Sequence, residues 1–205
     1  MYNHLESLPK DCLNDLRAFI AAHSQSGLFI TAKEDSYSLV ITYKNKELLE
    51  DKYKALQCFP SKIKSEEFHQ IKGHLTISDK AFEEHNFELF QQRLATYESK
   101  RKMIEALLSL KKIKSVKKYE FSFVSHELIR PEKDNYWTGL IYLRGLGFKL
   151  PEVFALFYGT EEEKELYFLE LLNEQKRRSL RKKSKLKSLV LRPFLKSSAR
   201  MSVKI

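Results

Sequence analysis

With 205 residues, 42% of them apolar, the chain is long enough to bury one ordinary core or two small ones without a disulfide or metal staple. Its two cysteines, Cys12 and Cys58, exclude a multi-disulfide secreted framework and a four-cysteine zinc or iron–sulfur site built from this chain alone. The formal charge of +10 is segregated, because Lys176 to Ile205 holds twelve Lys or Arg and no acid, which leaves 25 basic against 27 acidic residues before it.

The opening MYNHLESLPKDCLNDL lacks a basic segment followed by an apolar one, and no run reaches the roughly 18 apolar residues of a membrane span. An intracellular protein, cytoplasmic or nuclear and without a membrane span, is expected. A first helix is expected to start near Ser7, with Pro9 in its first turn and Leu13, Leu16, Phe19 and Ile20 on one face. After Gly27, LFITA and YSLVITY flank KEDS, and their β-branched and aromatic content predicts a hairpin from Leu28 to Tyr43. A short helix from Lys46 to about Gln57 follows, then an ambiguous stretch from Ser61 to Ile77 in which Gly73 is expected to mark a turn. Ser78 or Asp79 is a candidate N-cap for a long helix with Phe87, Phe90, Leu94 and Tyr97 at core spacing, and Met103, Ile104, Leu107 and Leu108 extend it or form a second helix.

KKIKSVKK, Lys111 to Lys118, reads as a basic connector, and YEFSFVS after it alternates like a strand that ends before Pro131. From Asn135, the sequence NYWTGLIYLRGLGFKLPEVFALFYG predicts two helices joined at Gly147, the second entered through Pro151 and stopped by Gly159. Leu143, Leu146, Val153 and Leu156 are expected on the inner face of this pair, with Arg144 and Lys149 exposed. A last helix begins near Thr160, where Glu161, Glu162 and Glu163 complement its dipole, and carries Leu166, Leu169 and Leu172 into a basic tail. The expected fold is therefore mainly α with a small N-terminal β-hairpin and a helical C-terminal half. It divides into an α+β region with a long helix over 1–110, a helical region over 111–175 and a basic tail over 176–205.

No catalytic or metal constellation is apparent. The histidines at 4, 23, 69, 74, 85 and 126 include no i, i+4 pair with a carboxylate alongside, Gly145 and Gly147 lack the residues of a phosphate-binding loop, and no Ser lies in a nucleophile elbow. A noncatalytic protein without metal or cofactor is expected. The positive features are electrostatic. Lys111, Lys112, Lys114, Lys117 and Lys118 precede Tyr119, Phe121 and Phe123, a combination suited to phosphates and unpaired bases, although strand core explains the aromatics equally well. Arg144 and Lys149, with Tyr136 and Trp137, form a second candidate surface. In the tail, Lys176, Arg177, Arg178, Arg181, Lys182, Lys183, Lys185 and Lys187 favour an anionic partner through counterion release. DNA or RNA is the first candidate; an acidic protein or a membrane surface is the second, since Leu186, Leu189, Val190, Leu191, Phe194 and Leu195 intersperse the charges.

Tyr142, Leu143, Arg144, Gly145, Leu146, Gly147, Phe148, Lys149 and Leu150 resemble a segment of the large, regulatory subunit of archaeal and eukaryotic DNA primases: aromatic, Leu, basic, Gly, aliphatic, Gly, then an amphipathic helix. Glu88, Leu89, Phe90 and Arg93 are similar to an upstream helix of that family, in the same order along the chain. The resemblance implies an accessory subunit of a replication machine, paired with a protein partner. That family ligates an iron–sulfur cluster through four cysteines, and this chain has none after Cys58, so the relative it implies is cluster-free. LRGLGFKLPEVFALF also looks like a helix pair of mercury-resistance-type transcription regulators, which implies a helix-turn-helix alternative. An interaction or assembly protein docking through its basic tail is the other.

Overall fold

The structure is a computed structural model that describes residues 8–33, 35–110, 116–182, 188–194 and 200–204. Among these residues the chain forms six α-helices and eight β-strands, the strands arranged in two four-stranded antiparallel sheets. The fold is α+β, and the expectation of a mainly helical chain with one small hairpin is overturned. It divides into two compact units, one made of Met1–Glu34, Asp134–Tyr136 and Glu152–Ile205, the other of Asp35–Lys133 and Trp137–Pro151.

In the first unit, α1 (Lys10–Ala22) follows Pro9, and β1 (Leu28–Lys33) lies between β6 (Val153–Phe157) and β7 (Ser188–Pro193), with β8 (Met201–Lys204) at the far edge of β7. The strand expected to form half of a hairpin thus pairs with segments more than a hundred residues away: Phe29 stands opposite Leu156 on one side and Arg192 on the other. Three apolar residues in a row, Leu28 to Ile30, and Thr31 after them are all buried, which a strand flanked on both edges satisfies better than an isolated hairpin. α6 (Glu161–Lys182) opens with a reciprocal cap, the Glu163 amide donating to Thr160 Oγ1 at 3.2 Å and the Thr160 amide donating to the Glu163 carboxylate at 2.8 Å. It buries Phe168 and Leu172 against Leu16 and Ile20 of α1 and against Leu28, Ile30, Leu189, Leu191 and Val203 of the sheet. Lys164 is buried too, and its ammonium donates to the Ser24 carbonyl at 2.5 Å, which compensates the desolvation of the charge.

Two expectations fail here. Val153 to Phe157 is strand β6, where a second helix was expected after Pro151, and Val153 and Leu156 are exposed on it rather than turned inward. Only seven residues separate Pro151 from Gly159, too few for a stable helix but enough for a strand of average length. Beyond Lys176, strands β7 and β8 bury Leu189, Val190, Leu191 and Val203, so the stretch expected to be only a basic tail supplies part of the core.

The second unit is built on the sheet β3–β2–β4–β5, formed by β2 (Tyr37–Lys44), β3 (Glu47–Leu48), β4 (His69–Thr76) and β5 (Ser122–Arg130). Leu39, Ile41 and Tyr43 alternate inward along β2, as do His69, Ile71, Gly73 and Leu75 along β4. α4 (Lys100–Ser109) covers this face with Met103, Ile104 and Leu107. Only a single turn, α2 (Asp51–Lys54), remains of the helix expected over 46–57. α3 (Asp79–Gln91) starts at Ser78 as the sequence suggests, the Ala81 amide donating to its hydroxyl at 3.1 Å. Gly73 marks no turn. It sits inside β4, where the Phe123 ring of β5 occupies the space a side chain would need.

α5 (Tyr136–Gly145) buries Leu140 and Leu143, and Phe148 just after it packs edge-on against Tyr43 and Phe123. The helix ends in a Schellman motif: the Phe148 amide donates to the Leu143 carbonyl at 3.1 Å and the Gly147 amide to the Arg144 carbonyl at 3.0 Å. Gly147 carries φ +92° in this motif, as a helix ending there requires. Gly147→Val is expected to lower unfolding stability by about 1 to 2 kcal/mol, since a branched side chain is strained in the left-handed region. Urea titration followed through Trp137, the single tryptophan of the chain, measures it.

Candidate nucleic-acid interface

α5 places its side chains by helical periodicity. With Leu140 and Leu143 inward, Trp137, Ile141 and Arg144 fall at i, i+4 and i+7 and share an exposed stripe. Beside the stripe, the Lys133 ammonium lies 4.0 Å from the centroid of the Tyr142 ring, within cation–π range. Tyr142 is itself fixed from below. Fully buried His69 donates from Nδ1 to the Glu67 carbonyl at 2.7 Å, which makes Nε2 the acceptor for the Tyr142 hydroxyl at 3.0 Å. This histidine is a satisfied core residue whose role is to hold a tyrosine, and through it a lysine. Lys133 was not singled out in the sequence; no spacing rule links it to a ring nine positions later.

Lys149 follows the turn at Gly147, and its carbonyl accepts from the Ser125 amide at 2.9 Å and the Ser125 hydroxyl at 3.0 Å, which pins the backbone to β5. Its side chain is exposed, with the ammonium 3.5 Å from Ser122 Oγ. Half-buried Cys58 is close enough for the Lys149 charge to favour its thiolate, yet burial dominates and pushes the thiol up to about 12, so it stays protonated and unreactive near neutral pH.

The basic connector divides. Lys111, Lys112 and Lys114 lie outside the described residues. Lys117 and Lys118 sit on a 3₁₀ turn, Val116–Tyr119, where Lys117 is exposed but Lys118 donates to both carboxylate oxygens of Glu88 on α3 at 2.5 Å. The bond holds Glu88 below the usual carboxylate range, and Lys118 is committed to it rather than available to a phosphate. Tyr119 and Phe123 are buried and Phe121 is half-buried, so two of the three aromatics of the connector belong to the core.

In the first unit, Lys176 is half-buried and Arg177 exposed on α6, and Arg178, Arg181 and Lys182 occupy its last turns. Lys183, Lys185 and Lys187 lie outside the described residues. A cavity of about 510 Å³ opens between α1 and α6, but Glu161, Glu162 and Glu165 line it and Glu165 engages Arg17 through both oxygens at 2.9 to 3.0 Å. Its charge suits a cation, not a phosphate. Among the described residues no cluster of three or more His, Cys, Asp or Glu is placed to hold a metal, and no helix is long and apolar enough to cross a membrane. No protein-family model matches the chain, and no curated protein matches it.

Proposed function

We propose that the chain is a noncatalytic nucleic-acid-binding protein that acts as an accessory subunit of a replication or related nucleic-acid machine. The observation that carries this reading is the basic end of α6. Five of the seven residues from Lys176 to Lys182 are cations on one helix, and no acid follows Glu174. Complementing the helix dipole explains the cations of the last turn only, because that effect fades within a turn. Arg177 lies further in and is exposed, and its charge is better accounted for by an anionic partner.

The α5 stripe is the second support. Trp137 offers a face on which a base can stack, and Arg144, with no carboxylate within ion-pair distance among the described residues, offers a phosphate ligand. The membrane alternative loses three of the six apolar residues it rests on, since Leu189, Val190 and Leu191 are core residues; Leu186 and Leu195 lie outside the described residues. The helix-turn-helix alternative meets strand β6 where it needs a helix. The same strand stands where the primase resemblance implies an amphipathic helix, so that resemblance supports the accessory-subunit half of the proposal through Tyr142 to Leu150 alone.

Fluorescence anisotropy with labelled single-stranded and duplex oligonucleotides at two salt concentrations tests the reading. Replacing Lys176, Arg177, Arg178, Arg181 and Lys182 by Ala is expected to weaken binding at least about tenfold at low salt and to flatten its salt dependence. Arg144→Glu is expected to weaken binding without lowering the melting temperature, because the residue is exposed. Wild-type affinity in both variants would end the proposal.

A further inference from the structure

The long helix expected from Ser78 was to bury Phe87, Phe90, Leu94 and Tyr97; α3 ends at Gln91, Tyr97 is half-buried, and the other three side chains are 59%, 71% and 54% exposed. The face turned into the unit carries Ala81, Phe82, His85, Asn86 and Leu89 instead. On the outward face, Glu83, Phe87 and Phe90 lie within about 60° of one another by helical periodicity. Apolar residues gathered at this exposure are uncommon on a monomer surface and mark a contact.

The end of the helix is built with care for so exposed a place. Arg93 takes φ +57° in a Schellman motif, its amide donating to the Phe90 carbonyl at 3.0 Å while the Leu94 amide donates to the Leu89 carbonyl at 2.9 Å. Gly is the least strained residue there, yet the chain carries an exposed arginine with no ion pair among the described residues. The Asn86 side chain then clamps Tyr97 in both directions, its carbonyl accepting from the Tyr97 amide at 2.8 Å and its amide donating to the Tyr97 carbonyl at 3.0 Å. The segment carrying Leu94 is thereby fixed against the helix before any partner arrives.

We propose that this face binds a second copy of the chain, α3 against α3 in antiparallel pairing about a two-fold axis. The face is self-complementary in that arrangement and in no parallel one. With the axis between Phe87 and Phe90, each Phe87 meets the other copy's Phe90, and Arg93, just past the C-terminal end of one helix, reaches the level of Glu83 and Glu84 near the start of the other. Glu84 is shared with Lys80 at 3.8 Å in its own helix, whereas Glu83 has no cation partner among the described residues, so Glu83 is the one that Arg93 engages. The two arginines and two glutamates then close a ring of opposite charges around an apolar centre, the anatomy of a two-fold interface. With two phenylalanines and one leucine per copy at its apolar centre, the dimer is weak and forms with rising concentration.

Sedimentation velocity on the full chain, without nucleic acid, at roughly 10 and roughly 500 µM spans the range in which such small interfaces associate. A monomer at the low concentration and a growing dimer at the high one are expected. Phe90→Glu should abolish the dimer, and its unchanged circular dichroism and melting would show that the helix still folds. Glu83→Arg and Arg93→Glu should each weaken the dimer about tenfold or more, as like charges come to face each other, and the double variant should restore it. A chain that stays monomeric throughout, which is what a different protein partner on this face predicts, overturns the proposal. So does a dimer indifferent to Phe90→Glu, or single charge variants that the double variant does not rescue.

Discussion

A chain ending at Gln175 is expected to lose the tertiary structure of the first unit while the second retains its own. Truncation removes β7, which pairs with β1 along all six residues from Leu28 to Lys33, and with it β8. Leu189, Val190, Leu191 and Val203 go too, and at about 1.5 to 3 kcal/mol for each buried side chain the loss is about 6 to 12 kcal/mol. That is comparable with the whole stability of an ordinary domain, about 5 to 15 kcal/mol. β1 would also be left with one neighbour and an apolar open edge. Hydrogen exchange reads the two units separately: protection should vanish for the amides of Leu28 to Lys33 and persist for those of Ile71 and Leu75. Protected β1 amides in the truncated chain would mean that β6 and the helices suffice to hold it. The same result removes truncation as a test of nucleic-acid binding, which is why substitutions on α6 are needed.

Gly73→Val is expected to be the most damaging single substitution in the second unit, at about 3 kcal/mol or more. A Cβ at this position would lie 2.6 Å from the Val124 carbonyl oxygen and closer still to the edge of the Phe123 ring. Neither can yield cheaply. The carbonyl belongs to the neighbouring strand, and Phe123 is wedged between Phe59 and Phe148. Gly145→Ala is the control, since nothing lies within 4 Å of a Cβ there and a helical alanine restricts the unfolded chain, so it should be neutral or slightly stabilising. Urea denaturation midpoints of the two variants should move in opposite directions or differ by the full effect.

The contrast between these glycines shows how far the sequence could be read. Gly147 was legible because its role is local: an apolar helix must end there, and the left-handed residue that ends it is a glycine. Gly73 was not, because its role is set by a ring from a strand fifty residues later, and a glycine in a short apolar run reads as a turn. Strands were recognised where β-branched and aromatic residues are concentrated, as in β1, or alternate, as in β2 and β5. They were missed where the pattern is interrupted, at Gly73 in β4, or buried in charge, as Leu189 and Leu191 are in β7. Strand partners were beyond reach, since pairing β1 with β6 and β7 depends on contacts that no local pattern encodes. On α3 the periodicity identified the helix correctly, but two apolar faces compete on it, and the smaller one, built on Ala81 and Leu89, is the one buried. Of the candidate interface, the exposure of Arg144 and Lys149 followed from helix phase, whereas the engagement of Lys118 by Glu88 and of Lys133 by Tyr142 required the folded backbone.

The threading of the first unit through both ends of the chain sets an order of events during synthesis. β1 leaves the ribosome with both of its neighbouring strands still untranslated, and β7 follows only after some 150 further residues, a wait of roughly ten to thirty seconds at ordinary elongation rates. The second unit, whose segments all lie between Asp35 and Pro151, is complete well before then. The strand made first is thus among the last to be paired, and in the interval its Leu-Phe-Ile run is a substrate for chaperones or for aggregation. Its rescue depends on how quickly residues 188–193 are delivered.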